Sequence, residues 1–177
     1  MQAGKRPVRP SARSVARGRA TASSSSRGKA KRATKTKGAI RGGTSGRYHY
    51  NMTQVKDVPA GTGYSTSHGG VVEGKRMLVG YIHKPRGTGS RMHTHRNEQF
   101  NYVVRGTLVG SVNGKSVVAP AGTLIYIPAN APHTLKASPD DEDVIFIAIK
   151  DLSQGIIGKA VDGTMAGPHY DPGYGPD

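Results

Sequence analysis

The sequence predicts an all-β fold, a barrel or sandwich of about eight short strands. Runs rich in β-branched and aromatic residues follow one another at close spacing from residue 75 onward, with turn residues between them. Asn113-Gly114 marks a tight hairpin, because both central residues of a type I′ turn need positive φ. The predicted strands cover residues 76–83, 91–95, 99–105, 107–112, 115–119, 124–127, 132–136 and 144–149.

Positive charge is concentrated at one end of the chain. The 177 residues have a net charge of +15 at pH 7, and residues 1–47 contain fourteen Lys and Arg with no acidic residue. The remaining twelve basic residues face all eleven acidic ones, so the rest of the chain is near neutral. Residues 1–47 lack aromatic side chains and have few large apolar ones. Such a segment buries too little apolar surface to offset the entropy of ordering, so we expect a disordered basic tail.

Three interpretations of this tail stay open. The first is a solvated extension, in which case Met52 is a possible start of a shorter protein. The second is an arm that contacts nucleic acid without reading its sequence, since Lys and Arg release counterions from phosphates. The third is an organelle transit peptide, although the expected amphipathic helix is poorly formed. The composition favours the first interpretation, because no aromatic residues accompany the charges for stacking on bases.

The composition also limits the chemistry of any site. The chain has no cysteine, so disulfides and thiolate ligands are excluded and a metal would need nitrogen and oxygen donors. No apolar run approaches the ~20 residues that span a bilayer, and the N-terminus lacks the apolar core of a secretory signal. We therefore expect a cytoplasmic protein with no membrane contact.

One short stretch gathers residues that bind metals. His93, His95, Glu98 and Gln99 lie within seven residues, in a segment predicted to be extended. Side chains alternate along an extended chain, so His93 and His95 point the same way and can hold one ion together. A pair of this kind in isolation is more often structural than a ligand pair. The spacing of the neighbouring residues therefore decides between a structural histidine pair and a metal-binding one.

That spacing resembles a known family. Residues 87–106 resemble the first motif of the cupin superfamily, G(X)5HXH(X)3,4E(X)6G, with Gln99 at the position of the glutamate. Residues 122–137 resemble the second motif, G(X)5PXG(X)2H(X)3N, with Asn130 in place of its second glycine and Ala137 in place of its asparagine. The resemblance implies a double-stranded β-helix, also called a jelly-roll barrel.

The resemblance also implies a metal centre. His93, His95, Gln99 and His133 are expected to bind one divalent transition metal, which leaves positions open for water or substrate. Three imidazoles suit Fe, Mn, Ni, Zn or Cu, and the ligand types do not choose among these metals. Glu98 is the alternative to Gln99, because a carboxylate is the commoner ligand, whereas the spacing of the motif favours Gln99.

The glutamine bears on the expected reaction. A neutral amide ligand leaves the full +2 charge on the ion and its ligands, which favours Lewis-acid chemistry over the stabilisation of a higher oxidation state. HTHRNEQ and PANAPH resemble small cupins that process unsaturated uronic sugars, but those proteins place an acidic residue on the last barrel strand, where residues 144–149 are apolar. We expect a redox-neutral lyase or isomerase acting on a small carbonyl- or carboxylate-bearing metabolite. A dioxygenase and a non-catalytic ligand-binding module are the alternatives.

Alternation adds one candidate to the substrate site. Arg91 shares the face of His93 and His95 if its strand has no bulge, and Asn101 shares the face of Gln99. A guanidinium beside a cation is costly unless an anion lies between them. We therefore consider Arg91 as a clamp for an anionic substrate. The alternative, an Arg paired with an acid at the barrel mouth, is equally compatible with the sequence.

Four segments follow from these patterns. Residues 1–47 are the basic tail, and residues 48–74 are a transitional segment that, by resemblance to small cupins, adds an edge strand to a partner in a homodimer. Residues 75–151 are the predicted barrel. Residues 152–177 are a Gly- and Pro-rich tail without a strand or helix pattern.

Overall fold

A computed structural model describes residues 36–152, 158–161 and 167–176. Within these residues the chain is almost entirely β-structure, with two single-turn 3-10 helices at Thr44–Gly46 and Met52–Gln54. The strands are β1 (Ile40–Arg41), β2 (Asp57–Pro59), β3 (His68–Glu73), β4 (Met77–Lys84), β5 (Thr88–Gly89), β6 (His93–Thr94), β7 (Gln99–Arg105), β8 (Thr107–Val112), β9 (Lys115–Pro120), β10 (Leu124–Ile127), β11 (His133–Ala137), β12 (Val144–Asp151), β13 (Lys159–Ala160) and β14 (His169–Tyr170).

The strands form two sheets. One sheet has the order β1-β3-β4-β12-β7-β10, with β2 beside β3. The other has the order β13-β6-β11-β5-β14, with β8 between β11 and β9. Apart from β1 and β3, which run parallel, the paired strands are antiparallel. The predicted all-β, jelly-roll fold is confirmed.

Strand boundaries follow the local sequence closely in the middle of the barrel. Strands β7, β8 and β10 have the predicted bounds. Asn113 and Gly114 have φ of 51° and 75° and join β8 to β9, as the hairpin prediction requires. Along β7, burial alternates so that Gln99, Asn101 and Val103 face inward. The side chains that alternation assigns to the interior of this strand are therefore the buried ones.

The interior is filled by apolar side chains contributed from both sheets. They form one cluster of buried residues, among them Val71, Ile82, Val103, Leu108, Ile127, Leu135, Val144 and Phe146. Burying a side chain of this size stabilises the fold by about 1.5–3 kcal/mol relative to leaving it in water. The cluster holds the two sheets together and forms the apolar part of the cavity described below.

The segment before the barrel joins the first sheet of its own chain. Strand β3 pairs along its length with β4, and β2 pairs with β3, so residues 57–59 and 68–73 are part of the sheet and not only a connection. The exchange of this segment with a partner stays a prediction. Strand β3 of this segment also pairs with β1, which lies in residues 36–47, part of the segment expected to be disordered.

Residues 36–47 contact the barrel through the pairing of β1 with β3 and through one buried carboxylate. Glu73 is 2% exposed and accepts a 2.9 Å hydrogen bond from the backbone N–H of Thr36. Arg41, in the short strand β1, lies 3.6 Å from the same carboxylate. The sequence pattern missed this anchor because it depends on a single acid 32 residues from its ion-pair partner. The rest of the predicted tail, residues 1–35, and its proposed nucleic-acid contact lie outside the described residues.

The C-terminal part also contributes strands, which the sequence did not predict. Strand β12 continues to Asp151, two residues beyond the predicted end. Further on, β13 pairs with β6 and β14 pairs with β5. Each of these strands is two residues long, too short for a period-2 pattern to be read from the sequence. Both nonetheless extend the sheet that carries His93.

The outer face of the first sheet exposes a group of large apolar side chains. Tyr102 and Tyr126 face outward and are 41% and 47% exposed, and Phe100, Val104 and Leu124 lie on the same two strands with 37–57% of their surface exposed. The predicted homodimer has no test in a single chain and stays a prediction. None of the helices in the described ranges has the length and apolar character needed to cross a membrane.

Gly106→Ala should destabilise the fold more than Gly114→Ala, although both glycines have positive φ, 71° and 75°. A Cβ at Gly106 would lie 3.1 Å from the carbonyl oxygens of Glu142 and Asp143, whereas nothing lies within 4 Å of one at Gly114. We expect a loss of about 1 kcal/mol at Gly114 from backbone conformation alone and about 2–4 kcal/mol at Gly106. Urea denaturation measures both free energies of unfolding. Equal losses would contradict the crowding at Gly106.

Candidate metal centre

Three histidines from separate parts of the chain meet inside the barrel. His93 on β6 pairs directly with His133 on β11, and His95 lies just beyond the end of β6. The ring centroids of His93 and His133 are 4.0 Å apart, those of His95 and His133 4.7 Å, and those of His93 and His95 5.9 Å. One ring nitrogen of each lies within 4.8 Å of one ring nitrogen of the other two, and all three residues are buried. The structure thus brings together the three imidazoles that the motifs predicted.

Backbone carbonyl groups orient each ring. The Nδ1 atom of each histidine lies within hydrogen-bonding distance of the carbonyl oxygen two residues away in the chain. These distances are 2.7 Å from His93 to Arg91, 2.8 Å from His95 to Asn97 and 2.9 Å from His133 to Ala131. A carbonyl oxygen only accepts, so each Nδ1 carries the hydrogen and each Nε2 presents a lone pair. This is the tautomer that binds a metal through Nε2.

Gln99 joins the histidines on the cavity wall, whereas Glu98 does not. Gln99 is buried, and its Nε2 donates a 2.6 Å hydrogen bond to Oδ1 of Asn101. Its carbonyl oxygen is therefore the atom that remains for another contact. Glu98 is exposed on the outer face, where its carboxylate accepts a 2.6 Å hydrogen bond from the hydroxyl of Tyr126. The alternation along β7 explains this difference, and the ligand role of Gln99 stays a prediction.

The loop of the second motif is bonded to the first. The backbone N–H of Asn130 donates a 2.7 Å hydrogen bond to the carbonyl oxygen of His95. Asn130 has a φ of 62°, in the left-handed region that glycine and, less readily, asparagine adopt. The asparagine that stands in place of the motif's second glycine therefore has the backbone conformation that the glycine would supply.

The donor set fits a divalent transition metal. Nε2 of His95 is buried and makes no hydrogen bond within the described part of the chain. Three neutral imidazole nitrogens that face one another offer lone pairs and no hydrogen between them, an arrangement that a cation satisfies. The neutral oxygen of Gln99 would be a fourth donor from the same wall. His93, His95 and His133 are accordingly the residues able to hold such an ion.

His93 and His133 line a cavity of about 120 Å³. Its walls are apolar on one side, with Leu108, Ile127 and Phe146, and polar on the other. For scale, an engineered cavity of about 150 Å³ lined by apolar residues holds benzene. The space therefore suits a compact ligand of at most about six non-hydrogen atoms.

Comparison with known proteins agrees with this geometry. A family model described as Cupin domain matches residues 80–150, the part of the chain that contains both motifs and all three histidines. Residues 80–150 are therefore a cupin domain. No curated protein matches the sequence.

Several solved structures of cupins are similar to this chain. A cupin from Shewanella frigidimarina described as RmlC-like is 24% identical, with a TM-score of 0.47 over 56% of this chain and 85% of that one. KdgF from a Halomonas species is 18% identical, with a TM-score of 0.47 over 55% of this chain and 87% of that one. A cupin-like protein from Thermotoga maritima is 22% identical, with a TM-score of 0.40 over 53% of this chain and 63% of that one.

Burial keeps the histidines of the cupin domain neutral. It lowers the pKa of His93 to about 2, with the positive charge that His133 would carry as a further cause. Burial, with the charge of Lys150 as a further cause, lowers the pKa values of His95 and His133 to about 4. The charge of Lys84 acts on His133 in the same direction. At neutral pH all three imidazoles are therefore already in the form that binds a metal.

Three residues of the cavity wall were missed in the sequence. Lys84 and Lys150 line the cavity, and the ring of Tyr64 lies 4.4 Å from that of His93. Alternation contained the signal for both lysines, because Lys84 continues the inward face of Ile82 and Lys150 continues that of Ala148. The predicted strands ended one residue before each lysine. Tyr64 lies in a turn outside any strand, so no pattern pointed to it.

Arg91 does not share the face of the histidines as expected. Residues 90–92 are not in a strand, and the carbonyl oxygen of Arg91 accepts the hydrogen bond from the ring of His93. Its side chain lines a different depression at the surface, together with Met92, Thr134 and His169. The alternation argument failed because it assumed one unbroken strand over residues 91–95, whereas β6 has only two residues.

The metal-free protein should lose stability as the pH falls from 6.5 to 5. The pKa of an unfolded histidine is about 6.5, whereas burial holds the pKa of His133 at about 4, so in this window the unfolded chain binds protons that the folded chain does not. Each of the three histidines contributes a slope of up to about 1.4 kcal/mol per pH unit, with stability rising as pH rises. Lys84 and Lys150 add little to this dependence of stability on pH, because both amines are mostly protonated in the folded and in the unfolded chain between pH 6.5 and 5.

Urea denaturation at pH 6.5, 5.8 and 5.0 measures this slope. His133→Asn should reduce it by about a third, since one of three equivalent contributions is removed. The control is His49→Asn at an exposed position, which should leave the slope unchanged. A slope that His133→Asn does not alter would show that these histidines are not the source.

Proposed function

We propose that this cupin domain is a metal-dependent enzyme that acts on a small, polar metabolite bearing a carbonyl or carboxylate group. The ion is one divalent transition metal bound by His93, His95, His133 and the amide oxygen of Gln99. The observation that carries the proposal is the orientation of the three imidazoles, whose Nε2 atoms face one another while backbone carbonyl groups hold their Nδ1 hydrogens.

A purely structural role explains this arrangement poorly. Buried imidazoles that only stabilise a fold usually donate and accept within a closed set of hydrogen bonds. Here the three Nε2 atoms are acceptors only, and burial keeps the pKa values of all three rings too low for a proton to bridge them at neutral pH. A cation would satisfy the three lone pairs at once, which favours a metal site over a packing role.

The expected reaction is redox-neutral. A divalent ion at this site would supply Lewis-acid stabilisation of negative charge on an oxygen of the substrate. Gln99 is neutral, so the protein adds no negative ligand that would favour a higher oxidation state. Burial raises the pKa of the Tyr64 hydroxyl, against a hydrogen bond from the backbone N–H of Gly158. Tyr64 therefore stays protonated beside His93 and can donate a hydrogen bond into the cavity.

Experiments can distinguish this function from two alternatives, an oxygen-activating enzyme and a non-catalytic binding module. An oxygen-activating cupin would consume dioxygen with its substrate, which an oxygen electrode detects, whereas a redox-neutral enzyme would not. A non-catalytic binding module would hold metal and ligand without turnover. A cytoplasmic location is part of the same proposal, because the expected substrates are small metabolites.

Removal of one histidine should abolish metal binding. We expect the purified protein to contain about one equivalent of a transition metal. His133→Ala should contain less than about a tenth of that, because the variant lacks one of the three imidazole donors. Inductively coupled plasma mass spectrometry measures both. The matched control is His49→Ala, which should retain the metal. A full equivalent of metal in His133→Ala would contradict the proposed site.

Gln99→Glu should increase the affinity for the metal by about tenfold or more, because it places a negative charge beside a cation in a buried site. Competition with a chelator measures the change. The control is Glu98→Gln, which alters a carboxylate on the outer face and should leave the affinity within about twofold of its original value. A loss of affinity in Glu98→Gln larger than any change in Gln99→Glu would favour Glu98 as the ligand.

A further inference from the structure

The cavity of this cupin domain is positively charged on its inner wall. Lys84 is 3% exposed and lines the cavity, and Lys150 lines it beside Gln99, its partner across the β12–β7 pair. None of the described residues that line the cavity is acidic. A bound divalent metal, whose proposed ligands are all neutral, would add to this charge. A ligand that enters the cavity is therefore expected to bring negative charge with it.

Lys84 in particular has no counterion among the residues that the structure describes. Its ammonium group has one hydrogen bond among the described residues, to the hydroxyl oxygen of Ser65 at 3.4 Å, which is long for such a bond. No carboxylate of the described residues lies within ion-pair distance of it. A buried ammonium without a carboxylate partner is costly, and burial lowers the pKa of Lys84 to about 7. An ammonium group at this position is therefore not neutralised by any carboxylate in the described part of the chain.

Three serine hydroxyl groups line the same cavity as this amine. The hydroxyl of Ser65 donates a 3.0 Å hydrogen bond to that of Ser67, and Ser65, Ser67 and Ser90 all line the cavity. Ser67 and Ser90 are 7% and 5% exposed. Hydroxyl groups next to an ammonium group are the usual surroundings of a bound carboxylate, since they donate further hydrogen bonds to its oxygens.

The lysine and the metal centre lie at different places along the cavity. Strand pairing puts Lys84 opposite Val144, whereas Lys150 and its neighbour Gln99 lie six residues further along β12, about 20 Å of extended chain away. His133 and His93 nevertheless line the same cavity as Lys84 and Ser65. One compact ligand can therefore contact the histidine side of the cavity with one end and reach toward Lys84 with the other.

We propose that Lys84 and Ser65 form an anion subsite that binds a carboxylate group of the substrate, whose other end faces His93, His95 and His133. This inference rests on the proposed function for the identity of that other end. It narrows the substrate class to small carboxylic acids of about six non-hydrogen atoms that carry a second oxygen-bearing group. Lys84 contributes by binding and orienting the anion, and the inference assigns it no proton transfer.

Anion binding to the metal-free protein tests the subsite independently of the metal. The probes are formate, oxalate, malonate and succinate at pH 6.5 in a buffer without carboxylates, measured by isothermal titration calorimetry. We expect at least one dicarboxylate to bind, and its uncharged diamide, malonamide for malonate, to bind at least about tenfold more weakly. Failure of all four anions to bind, or equal binding of acid and amide, would overturn the subsite.

Two variants assign the binding to this position. Lys84→Met, which has a similar volume, should weaken the dicarboxylate at least about tenfold, and Ser65→Ala about threefold or more. The matched control is Lys115→Met, at an exposed position on β9, which should stay within about twofold. Circular dichroism establishes that each variant is folded. Unchanged affinity in folded Lys84→Met would overturn the assignment, and if that variant does not fold, Ser65→Ala decides in the same way.

Metal content separates the two proposals. Lys84→Met should bind the transition metal as the unaltered protein does, because Lys84 is not one of the proposed ligands. If the unaltered protein bound no metal but its affinity for dicarboxylate still depended on Lys84, the subsite would stand and the proposed metal-dependent function would fail. If the protein bound metal and Lys84→Met left anion affinity unchanged, the metal site would stand and the subsite would fail.

Discussion

The candidate site depends on three short hydrogen bonds between imidazole rings and backbone carbonyl groups. Each histidine uses its Nδ1 hydrogen on a carbonyl oxygen two residues away, at the end of a strand or just outside it. These bonds fix the tautomer and the rotation of each ring, so the Nε2 atoms can only face inward. Because the carbonyl groups belong to the backbone, the barrel itself sets the geometry of the site. Ring orientation is then as rigid as the strands that supply it.

Strand pairing explains why the two motifs lie so far apart in the sequence and yet act together. His93 and His133 are direct partners across β6 and β11, and the N–H of Asn130 bonds to the carbonyl oxygen of His95. A shift of one residue in this register would turn His93 out of the cavity, since neighbouring side chains face opposite sides of a sheet. The left-handed conformation of Asn130 is therefore part of the site, because it brings the loop of the second motif onto the first.

The sequence predicted the barrel well because strand alternation and turn chemistry are local rules, whereas the three histidines were predicted by the resemblance to the cupin motifs. Alternation predicted both ends of β7 and β10 to the residue, and Asn113-Gly114 predicted the hairpin between β8 and β9. The same rule failed at Arg91, because residues 90–92 are not in a strand and their side chains need not alternate between two faces. Contacts between distant residues were beyond a local rule, as with Glu73, whose carboxylate holds the N–H of Thr36. Lys84 and Lys150 were lost only because each is the next residue after a predicted strand end.

Those two lysines change how the site is understood. A divalent ion held by four neutral donors would act as a Lewis acid toward many polar ligands and would discriminate little among them. Lys84 adds a second cation, which has no counterion among residues 36–152, 158–161 and 167–176, and burial lowers its pKa to about 7. An anion that binds there removes the cost of the isolated charge and raises the protonated fraction of the amine. Binding of the anion and protonation of Lys84 are consequently linked, and each favours the other by the same free energy.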